Sequence, residues 1–189
     1  MTPASRRVFL RRGAVLLGVG GLALVAGSEV LSERPAAPVG VRLDTAAGGT
    51  PGTLAAVLAE ASSTAGRRLL GSPWETWAGA VTTGWSGLYV SWLLRHLGGT
   101  PTTDVAAVRN ALAARGRTGT APAVGAVVFY SPGSTAPPTR AGLVTSVTRG
   151  VAQTVEGDHP VTVPLSERFV RRLSRPGHGT VSYGYPEYM

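Results

Sequence analysis

Cysteine and lysine are both missing from this 189-residue sequence, and histidine occurs only three times. Without cysteine, the chain forms no disulfide, builds no cysteine–zinc site and has no thiol nucleophile. Because lysine is absent, all 18 basic residues are arginines, and they give a formal net charge of +8 against 10 acidic residues. A hydrophobic content of 43% still supports a packed core in a single domain.

The N-terminus has the pattern of an export signal. Residues 5–11 read Ser-Arg-Arg-Val-Phe-Leu-Arg, which matches the twin-arginine signal, and a charge-free run of 15 residues follows at 13–27. That run is short for a membrane span and suits the apolar part of a signal peptide. We therefore predict a twin-arginine signal peptide or uncleaved membrane anchor at 1–28, with the twin-arginine translocase as partner during export. The protein is then expected outside the cell or at the cell envelope, where an uncleaved signal would anchor it in the cytoplasmic membrane.

Residues 29–49 contain Pro35, Pro38 and Ala/Gly-rich stretches without periodicity, so we predict a linker before a domain at 50–189. From residue 35 onward, 13 arginines face 8 acidic residues, a formal net charge of +5. A basic exported domain is attracted to anionic surfaces such as cell-wall polymers or lipid head groups. We expect no nucleic-acid partner, because no nucleic-acid-binding module is recognisable. We also expect no metal or other cofactor, because no acidic or histidine cluster has ligand spacing.

The front half of the domain has helical periodicity. Residues 84–98 predict a buried central helix with Ser86 in its first turn, where backbone N–H groups stabilise negative charge. A first helix is expected from Thr50–Pro51 to Gly66, and a third after Asp104. Residues 67–84 are predicted to be a connecting loop.

The back half changes to short β-branched runs, which predict strands at 124–130, 142–147, 151–156, 161–163 and 180–183. Helices first and consecutive strands afterwards favour an α+β fold, in which the helices pack on one side of an antiparallel sheet.

Six segments of the domain form an ordered set of motifs: Trp-Glu-Thr-Trp-Ala-Gly at 74–79, Gly-Trp-Ser-Gly-Leu-Tyr-Val-Ser-Trp at 84–92, and residues 122–130, 140–144, 155–158 and 183–188. This set resembles the motifs of CHAP domains, the cysteine, histidine-dependent amidohydrolases/peptidases, especially those of exported actinobacterial proteins. The resemblance covers the chain from about residue 50 to its end. It implies a papain-like fold and an ancestral activity on amide bonds of cell-wall peptides.

The resemblance also implies where a catalytic site would lie. Ser86 stands where the family has its cysteine, Arg140 where it has its histidine, and Glu156 or Asp158 where a polar residue orients that histidine. It further implies a substrate groove lined by Trp74, Trp77, Trp85 and Arg140, although tryptophans in a loop more often pin that loop to the core.

The substitutions remove the chemistry that such a hydrolase needs. A serine hydroxyl depends on a general base, and a guanidinium cannot accept a proton. His96 lies ten residues along the same helix, roughly 15 Å from Ser86, and His178 stands in an Arg-Pro-Gly-His-Gly loop. His159 is the remaining candidate base, although a lone histidine here favours a solvated turn residue.

Three functions remain open on the sequence alone. The leading one is a catalytically inactive domain that binds peptidoglycan or a cell-wall protein, in which Arg140 pairs with the carboxylate of Glu156 or Asp158. The second is an active peptidoglycan amidase or endopeptidase with Ser86 as nucleophile and His159 as base. The third is a structural domain without a functional groove.

Overall fold

The computed structural model describes residues 50–176 and 181–189. In these ranges the chain forms four α-helices, followed by six β-strands. The helices are α1 (Leu54–Ser63), α2 (Pro73–Ala78), α3 (Ser86–Leu93) and α4 (Val105–Ala113), with short 3-10 helices at Arg95–Leu97 and Leu165–Glu167. The strands are β1 (Thr118–Gly119), β2 (Val127–Tyr130), β3 (Arg140–Thr148), β4 (Val151–His159), β5 (Phe169–Pro176) and β6 (Val181–Gly184).

The strands form one sheet in the order β1-β6-β2-β3-β4-β5, and every neighbouring pair is antiparallel. The predicted α+β class with an antiparallel sheet is therefore confirmed. The connections β2–β3, β3–β4 and β4–β5 join neighbours, whereas β6 returns to pair with β2 on the other side.

The two faces of the sheet differ in what covers them. Alternate residues of the strands, among them Val127, Phe129 and Leu143, pack with the helices in the main core. On the opposite face, Val128 and Val144 belong to a smaller cluster that contains only strand residues and their flanks. The helices thus pack on one face of the sheet.

Helix α3 is the centre of the main core, because all eight of its residues are buried. Trp74 of α2 lies over it and makes aromatic contacts of 5.2–5.7 Å between ring centroids with Trp85, Tyr89 and Trp92. The Tyr89 hydroxyl shares a hydrogen bond of 2.8 Å with Thr64 Oγ1 after α1. Aromatic packing therefore fixes α1 and α2 around α3.

The helices differ from the prediction in three places. α1 begins at Leu54 with Thr53 as its N-cap, because the Thr53 hydroxyl accepts a hydrogen bond from the Ala56 N–H. Helix α3 ends at Leu93, and the rest of the expected helix is a 3-10 turn. The expected loop at 67–84 contains α2, whose start was readable from Ser72 and Glu75 on either side of a proline. The Ser72 hydroxyl accepts from the Glu75 N–H, and the Glu75 carboxylate accepts from the Gly71 N–H.

The strands also differ from the prediction. Residues 161–163 form a turn and not a strand, and β1 and β5 were not predicted. β5 is an arginine-rich edge strand with little apolar alternation, which is why its pattern was missed; charged residues on an edge strand oppose pairing with other chains. β4 extends to His159 beyond its expected end.

The described residues all belong to one compact unit. The expected signal at 1–28, the linker at 29–49 and His178 lie outside the described residues. Among the helices that the structure describes, none is long and apolar enough to cross a membrane.

We predict that Gly157→Ala destabilises the fold by about 1–3 kcal/mol, because a new methyl group would overpack the core. A Cβ placed on Gly157 would lie 2.6 Å from Trp85 Cζ3 and 2.8 Å from Tyr89 Cβ. Urea unfolding of the full chain measures the effect. The control is Gly133→Ala, where nothing lies within 4 Å of the added Cβ; equal stability of the two variants would contradict the close contact between α3 and β4.

Candidate functional site

Ser86 is the first residue of α3 and joins that helix to the sheet. It is only 3% exposed, and its Oγ accepts a hydrogen bond of 3.3 Å from the Ala141 N–H of β3. The N-cap residue of α3, Trp85, makes no side-chain capping bond. Backbone N–H groups of the first turn, which carry partial positive charge, are thus not capped by the Trp85 side chain.

Arg140 begins β3 beside Ala141 and is half-buried. Its Nη2 donates to the backbone carbonyls of Gly157 and Asp158, each at 3.5 Å. The expected pairing of Arg140 with the carboxylate of Glu156 or Asp158 is therefore wrong, since both carboxylates have other partners and no ion pair to Arg140 lies within 4 Å among the described residues. Burial lowers the pKa of the Arg140 guanidinium, while both carboxylates offset part of this effect; an arginine remains charged at neutral pH.

β4 is irregular where it passes this site. Its pairing with β5 shifts between Glu156 and His159, and Asp158 has a φ of 67°, in the left-handed region that aspartate tolerates better than most residues. The Asp158 carboxylate forms an ion pair of 3.1 Å with Arg168. It also lies beside Gly84, where an added Cβ would be 3.1 Å from Oδ2. The bulge therefore brings Asp158 to the turn that precedes α3.

Glu156 is fully buried and accepts hydrogen bonds from four side chains. Tyr130 Oη and Thr154 Oγ1 donate to its Oε1 at 2.7 Å each, and His159 Nε2 lies 2.9 Å from Oε2. Arg175 donates to both oxygens at 3.2 Å. Two bonds from a planar guanidinium hold the carboxylate in a fixed orientation.

The charge of Glu156 follows from this surrounding. Burial acts to raise the pKa of Glu156, but hydrogen bonds from His159, Arg175, Tyr130 and Thr154 outweigh it and lower the pKa to about 2. Burial is the main cause that raises the pKa of Tyr130, and the negative charge of Glu156 raises it further. The Tyr130 hydroxyl therefore stays protonated and donates its hydrogen bond. Glu156 is consequently an anion whose hydrogen-bonding capacity is already used.

His159 does not contact Ser86. It is bonded to Glu156, and its side chain is only 12% exposed, so the expectation of a solvated turn residue is wrong. In the part of the chain that the structure describes, the Ser86 hydroxyl has a single hydrogen-bond partner, the Ala141 N–H. His96 lies in the 3-10 turn after α3. No described histidine therefore accepts a proton from Ser86 in this arrangement.

The tryptophans expected in a groove lie elsewhere. Trp74 and Trp85 are 0% exposed and belong to the core, which corrects their assignment as groove residues. Neither indole Nε1–H has a hydrogen-bond partner among the described residues. Trp77 is partly buried and, with Trp92, lines a shallow surface depression between α1 and α2. Of the three tryptophans expected to line a groove, Trp74 and Trp85 therefore stack in the core, and only Trp77 lies at a surface depression.

Four members of the site were not identified from the sequence. Thr154 could have been found, because it precedes Glu156 by two residues and so shares its face of β4. Tyr130 could have been found as the last residue of the predicted strand at 124–130. Arg168 and Arg175 could not, since their positions depend on the unpredicted β5. Between residues 50–176 and 181–189, no group of three or more acidic, histidine or cysteine side chains is arranged to hold a metal ion.

We predict that Glu156 stabilises the fold above its unfolded-state pKa and that this contribution disappears as the pH falls towards 2. The folded pKa is about 2, below the ordinary value near 4.3, so the unfolded chain binds the extra proton between these values. The effect is on the order of 3 kcal/mol. Urea unfolding from pH 6 to pH 2 measures it in wild type and Glu156→Gln.

The stability difference between wild type and Glu156→Gln should be largest near pH 6 and shrink towards pH 2. Glu187→Gln is the control, because the Glu187 side chain is 74% exposed and its ion pair with Arg117 lies at the surface. A difference for Glu156→Gln that stays constant with pH would contradict a lowered pKa.

Comparison with known proteins adds no assignment to this site. No protein-family model matches the chain, and no curated protein matches it. Roles for Ser86, Arg140 and Glu156 are therefore inferred from their positions in the fold and from the chemistry of their side chains.

Proposed function

We propose that the chain is a catalytically inactive, CHAP-like domain of papain-like fold that acts at the cell envelope by binding peptidoglycan or a cell-wall protein. One observation carries the proposal: Ser86 at the start of α3 bonds to the backbone of Ala141, the residue next to Arg140, and no described histidine contacts the serine. In the proposed family these two positions hold the nucleophile and its base.

The order of the motifs supports this assignment. The residue at the cysteine position begins a buried helix, the residue at the histidine position begins β3, and the third motif lies on the neighbouring β4. A nucleophile at a helix N-terminus and a base on an adjoining strand are the arrangement that such a hydrolase requires.

The side chains present do not provide a route for the proton. Ser86 would have to lose its proton to attack an amide, and Arg140 cannot take it because it stays protonated. Glu156 is held ionised by four side chains and has a pKa of about 2, far below what a base at neutral pH needs. Hydrolysis therefore lacks its general base in this arrangement.

The same side chains favour an anionic ligand. The Arg140 guanidinium has no carboxylate within 4 Å among the described residues. Ser86, bonded to the neighbouring Ala141, begins α3, whose first turn carries partial positive charge. Peptidoglycan peptides end in carboxylates, which an arginine can bind through charge-assisted hydrogen bonds. With Trp74 and Trp85 in the core, Arg140 is the main recognition residue of the proposed site. Export through the twin-arginine signal at 1–28 would bring the domain to this ligand.

An active serine hydrolase is the second candidate, and one contact favours it. A buried carboxylate, Glu156, orients the His159 imidazole through its Nε2 atom at 2.9 Å, as a general base requires. This candidate needs the other ring nitrogen of His159 to reach Ser86, to about 3 Å. The described structure does not place it there, so inactivity remains our conclusion.

We predict that the full chain sediments with purified peptidoglycan and releases no soluble fragments. Arg140→Ala should weaken binding about tenfold, because one charge-assisted contact is lost. The control is Arg68→Ala, which removes the same charge from an exposed arginine outside the site. Equal losses in the two variants would show attraction by net charge alone and would contradict a recognition role for Arg140.

Fragment release separates the two candidate functions. Release by wild type that disappears in Ser86→Ala would overturn inactivity and establish the serine hydrolase. Release only by the double variant Ser86→Cys/Arg140→His would support both the proposed family and the loss of its chemistry.

A further inference from the structure

A cavity of about 320 Å³ lies behind α3, between that helix, α4 and the C-terminal tail. It falls within the size range of small-molecule sites, about 300–1,000 Å³. Most of its wall is apolar, and the main contributors are Leu94, Leu97, Val108, Leu112 and Pro186. Neither Ser86 nor Arg140 lines it, so it is separate from the site described above.

Ser91 places a hydroxyl group in this cavity. The residue is only 3% exposed and lines the wall, yet its hydroxyl makes no hydrogen bond to any described residue. It lies four residues after Gly87 and so shares the α3 face that meets the segment before α4, where an added Cβ on Gly87 would be 2.7 Å from the Thr103 carbonyl oxygen. Among the described residues only the indole nitrogens of Trp74 and Trp85 are buried side-chain polar atoms without a partner. The Ser91 hydroxyl is therefore open to the cavity, where a polar group of a ligand can replace water as its partner.

The tail wall of the cavity is fixed before any ligand binds. Tyr185 donates its backbone N–H to the Arg117 carbonyl and its hydroxyl to the Ala121 carbonyl, both at 2.8 Å. Arg117 also forms an ion pair of 2.6 Å with Glu187. A preformed wall lowers the cost of ordering the site on binding.

The charge at the cavity is positive. Arg117 is neutralised by Glu187, whereas Arg115 lines the cavity and forms no ion pair with any residue in the described ranges. An anion near Arg115 would also lie at an accessible surface, because the Arg115 side chain is exposed. The apolar wall and the unpaired cation together select a molecule with an apolar body and one negative group.

We propose that this cavity binds a small, mainly apolar molecule that carries one carboxylate. The apolar body lies against Leu94 and Leu112, the carboxylate faces Arg115, and Ser91 donates or accepts a hydrogen bond within the cavity. This inference does not depend on the proposed function, because it uses none of the residues of the Ser86–Arg140 site.

Equilibrium dialysis of the full chain against octanoate tests the proposal. Wild type should bind one octanoate saturably, octanamide at least about fivefold more weakly, and acetate not measurably, because the amide lacks the charge and acetate lacks the apolar body. No saturable octanoate binding below about 10 mM, which corresponds to less than about 3 kcal/mol, would overturn the proposal.

Matched variants locate the site. Ala111 is an exposed residue of α4 that lines the cavity, so Ala111→Trp should fill the cavity and abolish octanoate binding. Ala113 is exposed on the same helix but does not line the cavity, so Ala113→Trp should bind octanoate as wild type does. Equal binding by both tryptophan variants would overturn the location. An unchanged melting temperature of each variant shows that the fold is retained.

The polar contacts are tested in the same assay. Arg115→Ala and Ser91→Ala should each weaken octanoate binding about three- to tenfold. Arg171→Ala removes an exposed charge elsewhere and should leave binding unchanged. If Arg115→Ala binds octanoate as Arg171→Ala does, binding reflects net charge alone, which overturns the contact assigned to Arg115. If Ser91→Ala binds as wild type does, Ser91 serves only as a small residue in the contact between α3 and α4, which overturns the contact assigned to Ser91.

Discussion

The burial of α3 on all sides is the constraint on which the rest of the domain depends. A helix with eight buried residues has no solvent face, so its neighbours must approach it closely on every side. Gly157 makes this possible on the β4 side, and Gly87 does so beside the segment that precedes α4. The first residue, Ser86, is then held against β3 by the Ala141 N–H. The candidate site is therefore positioned by core packing and not by a flexible loop.

The buried charge of Glu156 is the second constraint, and it determines what remains available at the site. A buried carboxylate is costly unless it is fully hydrogen-bonded, and here His159, Arg175, Tyr130 and Thr154 satisfy it. Because His159 is bonded to Glu156, its imidazole does not contact Ser86. Within the described ranges, Arg140 is then bonded only to backbone carbonyls, since the carboxylates nearby already have partners.

The sequence predicts those parts of the fold that depend on local patterns. The position of Ser86 in the first turn of α3, the Asp104 cap of α4 and the antiparallel β2–β4 strands follow from periodicity and capping residues. What it misses depends on contacts distant in sequence. The edge strand β5 has little apolar alternation, so the position of Arg175 beside Glu156 could not be foreseen. Composition likewise cannot distinguish a tryptophan that stacks in the core, such as Trp85, from one that lines a groove.

The electrostatics of the site explain why binding fits these residues better than hydrolysis. A helix N-terminus and an arginine both stabilise negative charge, whether it belongs to a ligand or to a transition state. Hydrolysis needs, in addition, a neutral group that accepts a proton near pH 7. Neither Arg140 nor the ionised Glu156 is such a group, and His159 is engaged by Glu156. Among the described residues, the site thus has groups that attract anions but none that is arranged to take a proton from Ser86.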